Sequence, residues 1–242
     1  MTMIQTIKDV DLMAAAVAFA PPITDGLVGW WYPGLNSTIA AKDFTFTDNA
    51  AIIGAPTYDP AYVRCTGLSH YFQTALPETA SYSILAVVRW PSGQTGDVRG
   101  CICGHWESGH SSKGLYSNAG TYPAATLLFN AGKSGGASNT TLSINITDAS
   151  AWCMIAATVD DATNAAALRN LTVGTVDTDT ISGARVLDGT ASWRFGSFPF
   201  TWTGTLDVAH WSLWDRALTT DELATLRTFI GSFMLDRRSI TI

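Results

Sequence analysis

The sequence predicts an all-β chain that folds as one antiparallel β-sandwich, with an N-terminal helical extension and a short C-terminal helix. Two observations lead to this fold class. From Ile23 onward, short apolar or alternating runs rich in Thr, Val and aromatic residues are separated by clusters of Gly, Pro, Asn, Asp and Ser, which is typical of strands joined by turns. The 242 residues also fit one large β domain, because sandwiches of this length fold without dividing into smaller domains.

Residues 1–23 have the pattern of an amphipathic helix followed by a stop. Apolar residues recur there at intervals of three or four, and Pro21-Pro22 ends the segment. We expect an assembly element that docks on a sister subunit of a symmetric homo-oligomer or on another protein of the same particle. The alternative is that the helix packs on its own sandwich. Its apolar stripe consists of Ile4, Ile7, Val10, Met13 and Val17.

Residues 24–242 supply the strands of the sandwich. The clearest strand has apolar side chains on both faces, so we expect it at the centre of a sheet. The predicted strands, in chain order, are Gly26 to Tyr32, Tyr82 to Trp90 (the clearest one), Cys101 to Trp106, Thr126 to Asn130, Thr140 to Ile146, Trp152 to Val159, Leu171 to Val176, Ser192 to Phe195 and Thr205 to Trp214.

A helix is expected after the last strand. Thr219 and Glu222 have the spacing of a capping box, in which each side chain bonds the backbone N–H of the other residue. The helix should close on the sandwich through the apolar stripe Leu223, Leu226, Ile230, Phe233 and Met234.

The four cysteines are expected to be buried free thiols. Three of them lie in apolar strand-like runs, and a chain of this length needs no disulfides to stabilise its core. Cys101, Cys103 and His105 would share one face of a strand, which leaves zinc as an alternative, although a fourth ligand at matching spacing is missing.

Four segments resemble those of a known family. Gly26 to Trp31 resembles the opening strand of concanavalin-A-like, laminin-G-like jelly-roll domains, and Ser81 to Trp90 resembles their central strand. Trp152 to Asp161 is similar to their W-x-x-[IV]-A-x-T-x-D segment. Gly204 to Thr219 resembles their final strand and its W-[DN]-R-A-L-[ST] exit into a helix. The resemblance covers residues 24–230 and implies a jelly-roll fold. It implies no single function, because such folds serve lectins, toxins, adhesion modules, glycosidases and viral structural proteins.

Aromatic residues supply the candidate glycan-binding positions. A planar ring beside hydrogen-bonding groups is able to stack on a sugar, and two segments place rings in loops: residues 198–202 and the polar loop that begins at residue 105. The alternative is that these rings fill the core, as most aromatic residues of a sandwich do. The candidates are Trp106, Phe198, Phe200 and Trp202.

The spacing of the acidic residues along the sequence predicts that the protein is not an enzyme. Glycoside hydrolysis needs paired carboxylates, and the sequence has no E-x-D-x-E or similar run. Asp177 and Asp179 flank a single Thr in a loop-like stretch, where we expect a solvated turn. No cofactor is expected, although the family resemblance implies that calcium is the metal to consider. Its nearest ligands would be Asp160, Asp161 and Asn164, which equally fit a plain hairpin turn.

The composition of the chain limits the classes of partner that it is expected to bind. A net charge of −6 argues against nucleic acid as a partner, because the one basic cluster, Arg237 and Arg238, lies beside Asp236 and fits a solvated helix end. No apolar run approaches the roughly 20 residues that span a bilayer. With only 14% charged residues, we expect a structural or host-recognition component of a bacteriophage particle, such as a decoration, tail or fibre protein, located in the virion and able to bind host-surface glycan. The alternatives are a secreted bacterial carbohydrate-binding module and a divergent glycan hydrolase.

Overall fold

The computed structural model describes residues 21–45, 47–92, 99–105, 113–117, 124–131, 140–181, 187, 191–198 and 202–242. The predicted N-terminal helix with its stripe Ile4, Ile7, Val10, Met13 and Val17 lies outside these residues, as do Trp106 and Phe200. The assembly role of the helix and the glycan-binding role of these two rings therefore stay predictions.

Strands dominate the part of the chain that the structure describes. The elements are β1 Leu27–Trp31, α1 Ser37–Ala41, β2 Ala51–Ile53, β3 Thr57–Tyr58, β4 Val63–Thr66, β5 Tyr71–Pro77, β6 Tyr82–Arg89, β7 Cys101–His105, β8 Lys113–Ser117, β9 Ala125–Ala131, β10 Thr141–Ile146, β11 Cys153–Asp160, β12 Ala165–Asn170, β13 Thr175–Thr180, β14 Ser192–Phe195, β15 Thr205–Trp214 and α2 Thr220–Arg238.

Two antiparallel sheets form the predicted sandwich. The first has the order β13-β12-β11-β6-β15-β4-β3, with β1 also paired to β15. The second has the order β10-β9-β8-β7-β14-β5-β2. Neighbouring strands are often far apart in sequence, as β6 and β15 are, so the sheets are held by long-range pairing. This arrangement confirms the predicted fold class.

The central strand β6 shows how the layers are built. Ile84 and Val88 point into the apolar core between the sheets, whereas Leu85 and Val87 point outward into a second apolar layer. Helix α2 covers this outer face of the first sheet. Both faces of β6 are therefore buried, as the sequence predicts for a central strand.

Helix α2 begins at the predicted capping box. The Glu222 backbone N–H donates to Thr219 Oγ1 at 3.2 Å, and Glu222 Oε2 accepts from the Thr219 backbone N–H at 2.8 Å. Four of the five predicted stripe residues are buried against the sheet, and Phe233 is half-buried and stacks on Tyr32. Among the described residues, no helix combines the length and apolar character needed to cross a membrane.

One predicted strand is wrong. Leu171 to Val176 was expected to be extended, but residues 171–174 form the turn between β12 and β13. Gly174 closes that turn with φ +79, a backbone conformation that glycine adopts without a steric penalty. The apolar residues here are exposed, because Val173 and Val176 lie at 65% and 56% exposure, so apolar composition alone did not indicate a strand.

All four cysteines are free and buried, as predicted. Burial raises the pKa of Cys103 and Cys153 to about 12. The expectation that Cys101, Cys103 and His105 share one face is wrong, because a β-bulge lies between the two cysteines. Cys103 faces the core between the sheets, and Cys101 faces the outside of the second sheet, so the two thiols do not form a zinc site.

Candidate functional site

Phe198 is an anchor of the second sheet. Its side chain is 1% exposed, and it packs over Gly104 and Gly114, which are paired across β7 and β8. A Cβ atom on either glycine would overlap the phenyl ring. Because the ring is buried in this way, the geometry argues against the predicted sugar-stacking role of Phe198.

Trp202 lies above this anchor and is half-buried. Its ring stacks on Phe198 with a centroid distance of 5.3 Å, and it lies 4.4 Å from the ring of Tyr116. The Arg99 guanidinium carbon lies 4.8 Å from the Trp202 ring centroid. Three neighbours therefore engage the indole within the chain, which leaves less of the ring for a ligand.

The weak calcium candidates form a hairpin turn. Asp160 accepts from the backbone N–H of Ala162 at 3.1 Å and from Thr163 Oγ1 at 2.7 Å. Asn164 has φ +53, as the turn requires. Within the described residues, no group of three or more His, Cys, Asp or Glu side chains is placed to hold a metal ion. For Asp160, Asp161 and Asn164 the turn is thus the better-supported interpretation.

A row of charged and aromatic side chains crosses the outer face of the first sheet. Asp207 of β15 is paired with Arg64 of β4 on one side and with Arg89 of β6 on the other. Trp152 directly precedes β11, beside Arg89, and Tyr62 directly precedes β4. We call these five residues the Arg64–Arg89 row. Four neighbouring strands of one sheet, β11, β6, β15 and β4, bring these residues together.

Asp207 fixes both arginines. Its side chain is fully buried, whereas the side chains of Arg64 and Arg89 are 39% and 29% exposed. Arg64 donates to the two carboxylate oxygens at 2.6 and 3.0 Å, and Arg89 Nε donates at 2.9 Å. The hydrogen bond to Asp207 raises the pKa of Arg64. Asp59 is a second acid close enough to Arg64 to act on its charge, so the two cations of the row lie beside two carboxylates.

Two rings support the Arg89 guanidinium. Its central carbon lies 4.6 Å from the Trp152 ring centroid and 4.9 Å from that of Tyr62. The two rings meet edge to face at 5.6 Å. Such cation–π contacts hold a guanidinium plane in one orientation without using its N–H groups.

The row therefore presents unused donors in a fixed arrangement. Within the described part of the chain, the two terminal amino groups of Arg89 and Nη1 of Arg64 donate no hydrogen bond to a protein acceptor. Guanidinium groups match the geometry of carboxylate and phosphate oxygens. The arrangement is able to bind an anionic group, with the half-buried rings of Trp152 and Tyr62 beside it.

Sequence reasoning missed this site because its members come from four distant parts of the chain. Arg64 and Asp207 are separated by 143 positions, and each appears as an isolated charge in its own segment. The signal that was available is the unusual acid at Asp207 inside an apolar final strand, which demands a partner once it is buried.

Comparisons with known proteins show the fold. The sequence matches no family model and no curated protein. Among solved structures, the chain is similar to the botulinum neurotoxin serotype D binding domain, with 11% identity, a TM-score of 0.61, and coverage of 85% of this chain and 52% of that one. The chain is also similar to the binding domain of botulinum neurotoxin DC in complex with SialylT, with 10% identity and a TM-score of 0.60. That match covers 85% of this chain and 52% of the neurotoxin domain.

A second kind of neighbour is an enzyme. A mutant of Trypanosoma rangeli sialidase with trans-sialidase activity has 14% identity and a TM-score of 0.57, and the match covers 85% of this chain and 33% of the sialidase. The chain spans about half the length of the toxin domains and a third of the sialidase. At such low identity these likenesses establish that the chain has a jelly-roll-like β-sandwich fold, shared by binding domains and by part of an enzyme.

Proposed function

We propose that this chain is a non-enzymatic carbohydrate-recognition module and that the Arg64–Arg89 row binds an acidic sugar. The observation that carries the proposal is the pair of guanidinium groups held on Asp207, with donors still unused, beside two half-buried rings. A sugar carboxylate or sulfate would accept from the arginines, while Trp152 and Tyr62 would contact the ring carbons.

The structural neighbours support a recognition role. The two neurotoxin structures described above are binding domains, and one of them is a complex with SialylT. That ligand belongs to the neighbour, and the low identity transfers no residue. The neighbours do support testing glycans before other ligand classes.

The buried acids favour binding over hydrolysis. In the described part of the chain, the buried carboxylates are Asp43, Glu78 and Asp207. Asp43 accepts from the Trp30 backbone N–H at 3.0 Å, Glu78 pairs with Lys113 at 2.8 Å, and Asp207 holds the two arginines. Each acid is engaged by a structural partner, whereas hydrolysis needs acids free to exchange protons. Release of reducing ends that a single Asp or Glu substitution abolishes would contradict this part of the proposal.

A glycan array tests the proposal. The wild-type protein should bind glycans that carry uronic acid, sialic acid or sulfate more strongly than their neutral counterparts. Arg89→Gln and Arg64→Gln should each reduce that binding at least tenfold. Each single variant leaves Asp207 one arginine partner, so both should remain folded. Arg237→Gln, an exposed arginine on α2, is the matched control and should bind as the wild type does.

Two results would overturn the proposal. The first is binding that is equal in wild type, Arg64→Gln and Arg89→Gln, which would place recognition elsewhere on the chain, for example at Trp106, Phe200 or Trp202. The second is a wild-type protein that binds no glycan of the array.

The setting we propose for this module is a bacteriophage particle. The low share of charged residues supports a surface that is partly covered by neighbouring subunits. Immunogold labelling of intact particles with an antibody against the chain tests this setting. Absence of the label from particles whose genome encodes the chain would favour the secreted carbohydrate-binding module.

A further inference from the structure

The turn that leads to Tyr62 is held by the end of the C-terminal helix. Arg238, the last residue of α2, is 8% exposed. Its Nη1 donates to the Pro60 carbonyl at 2.7 Å, and its Nη2 donates to the Tyr32 carbonyl at 3.3 Å. Because the planar fork of a guanidinium presents its donors in fixed directions, Arg238 sets the position of Pro60 relative to the end of β1.

The turn is closed by hydrogen bonds of its own. The Asp59 backbone N–H donates to the Tyr62 carbonyl at 2.9 Å, and Asp59 Oδ1 accepts from the Ala61 backbone N–H at 2.9 Å. The Leu35 backbone N–H donates to the Asp59 carbonyl at 2.8 Å. Hydrogen bonds as well as the chain itself therefore connect Pro60, which Arg238 holds, to Tyr62.

Gly34 allows Arg238 to approach this turn closely. Its φ is +147, a conformation that glycine adopts without a steric penalty. A Cβ atom at this position would overlap Arg238 Nη1 and would lie 3.1 Å from the Tyr62 backbone nitrogen. The guanidinium and the backbone of Tyr62 thus both pack against a residue that has no side chain.

Tyr62 links the turn to the Arg64–Arg89 row. Its ring centroid lies 4.9 Å from the Arg89 guanidinium carbon and meets the Trp152 ring edge to face at 5.6 Å. A displaced turn would remove one of the two rings that support Arg89. The orientation of the Arg89 guanidinium would then be less restricted, although its bond to Asp207 would remain.

We infer that Arg238 is a positioning residue for the recognition of acidic sugars and that it acts through Pro60 and Tyr62. The inference rests on the function proposed for the Arg64–Arg89 row. Arg238 does not contact the sugar. It holds the Tyr62 ring where that ring supports Arg89 and meets the ring carbons of the ligand, so loss of Arg238 should weaken binding by the same route as loss of the Tyr62 ring.

Side-chain NMR of the ligand-free chain tests whether Arg238 positions Tyr62. The rings of Trp152 and Tyr62 shift the Arg89 Nε–Hε signal through their ring currents. Tyr62→Leu should move this signal, and Arg238→Gln should move it in the same direction. Leu223→Ala is the matched control and should leave it unmoved. Leu223 is 1% exposed and packs in the outer layer at the start of α2, about 22 Å along the helix from Arg238.

A double-mutant cycle tests the consequence for binding. The probe is sialyllactose, or the acidic glycan that binds most strongly on the array where that is a different one. Arg238→Gln and Tyr62→Leu should each raise its dissociation constant several-fold. Because both variants remove the same contact, the double variant should bind about as weakly as Tyr62→Leu alone. Leu223→Ala combined with Tyr62→Leu should instead give the product of the two separate effects.

Two results would overturn the inference. One is an Arg89 signal in Arg238→Gln that matches the wild type, and the other is a pair of effects at Arg238 and Tyr62 that multiply as those of the control pair do. Arg238→Lys keeps the charge but not the fork, and it decides by the same criteria if Arg238→Gln does not fold. A wild type that binds no acidic glycan, while Arg238→Gln still moves the Arg89 signal, would contradict the function proposed for the row and support the positioning of Tyr62.

Discussion

At the scale of single residues, hydrogen bonds of buried polar side chains join neighbouring strands. Asp207 joins β4, β15 and β6 through two arginines. His210, three positions further along β15, donates from Nδ1 to the Trp31 carbonyl at 2.9 Å and accepts at Nε2 from Ser212 Oγ at 2.8 Å. Burial lowers the pKa of His210 to about 3, so the imidazole is neutral at physiological pH and completes a network beneath α2.

Removing the charge of Asp207 should destabilise the sandwich. Asp207→Asn keeps the shape of the side chain but weakens the charge-assisted bonds to Arg64 and Arg89. We expect the free energy of unfolding to fall by about 1.5–3 kcal/mol, measured by urea denaturation. Asp161→Asn, at an exposed turn position, is the control and should change it by less than about 0.5 kcal/mol. Equal effects in the two variants would contradict the role of Asp207 in joining these strands.

Glu222 should make stability depend on pH. Its hydrogen bonds to Arg216, at 2.6 and 3.0 Å, lower its pKa from 4.5 to about 2 in the folded protein. The unfolded chain therefore takes up the proton first, so this stabilisation is present above pH 4.5 and is lost as the pH falls towards 2.

The variant Glu222→Gln isolates that charge, because glutamine still forms a capping box. Urea denaturation at pH 7 should show a loss of about 1 kcal/mol relative to the wild type. At pH 2.5 the difference should be much smaller. A difference that is constant across this range would contradict the assignment.

At the scale of elements, bulges and glycines decide which side chains reach the surface. The bulge between Cys101 and Cys103 turns the two thiols to opposite faces of β7. A second bulge at Ala209 of β15 lets Asp207 and His210 share the outer face although three positions separate them. Side chains do not alternate strictly between the two faces of a strand at these points. The prediction that Cys101 and Cys103 share one face assumed strict alternation and was therefore wrong.

Phe198 should anchor the segment that leads to Trp202. Phe198→Ala empties the space over Gly104 and Gly114, and we expect a loss of about 3 kcal/mol in the free energy of unfolding. Leu68→Ala is the control, since Leu68 is 41% exposed and should contribute less than about 0.5 kcal/mol. A variant at Phe198 that unfolds at the wild-type midpoint would contradict the anchor role.

At the scale of the whole molecule, the fold was largely predictable and the site was not. Continuous apolar runs predict the central strand β6 and the final strand β15. The spacing of Thr219 and Glu222 predicts the cap of α2. Polar edge strands such as β13, whose sequence is Thr-Val-Asp-Thr-Asp-Thr, carry no comparable signal. The Arg64–Arg89 row depends on strand register between distant segments, which a single sequence does not reveal.

The N-terminal segment is the remaining prediction at this scale. Deletion of residues 1–20 should reduce the mass of the protein in solution to that of a smaller assembly, because the stripe from Ile4 to Val17 would lose its partner surface. Light scattering measures that mass. If the truncated chain keeps the oligomeric state of the full chain, the segment packs locally and is not an assembly element.

Side-chain NMR of Arg64 and Arg89 tests recognition by the row most directly. The Nε–Hε signals of both residues are titrated with the acidic oligosaccharide that binds most strongly on the array. The account predicts that both signals and the Trp152 indole signal shift together and saturate with one dissociation constant. Signals at Arg64 and Arg89 that stay unmoved while the oligosaccharide shifts residues elsewhere would contradict the account.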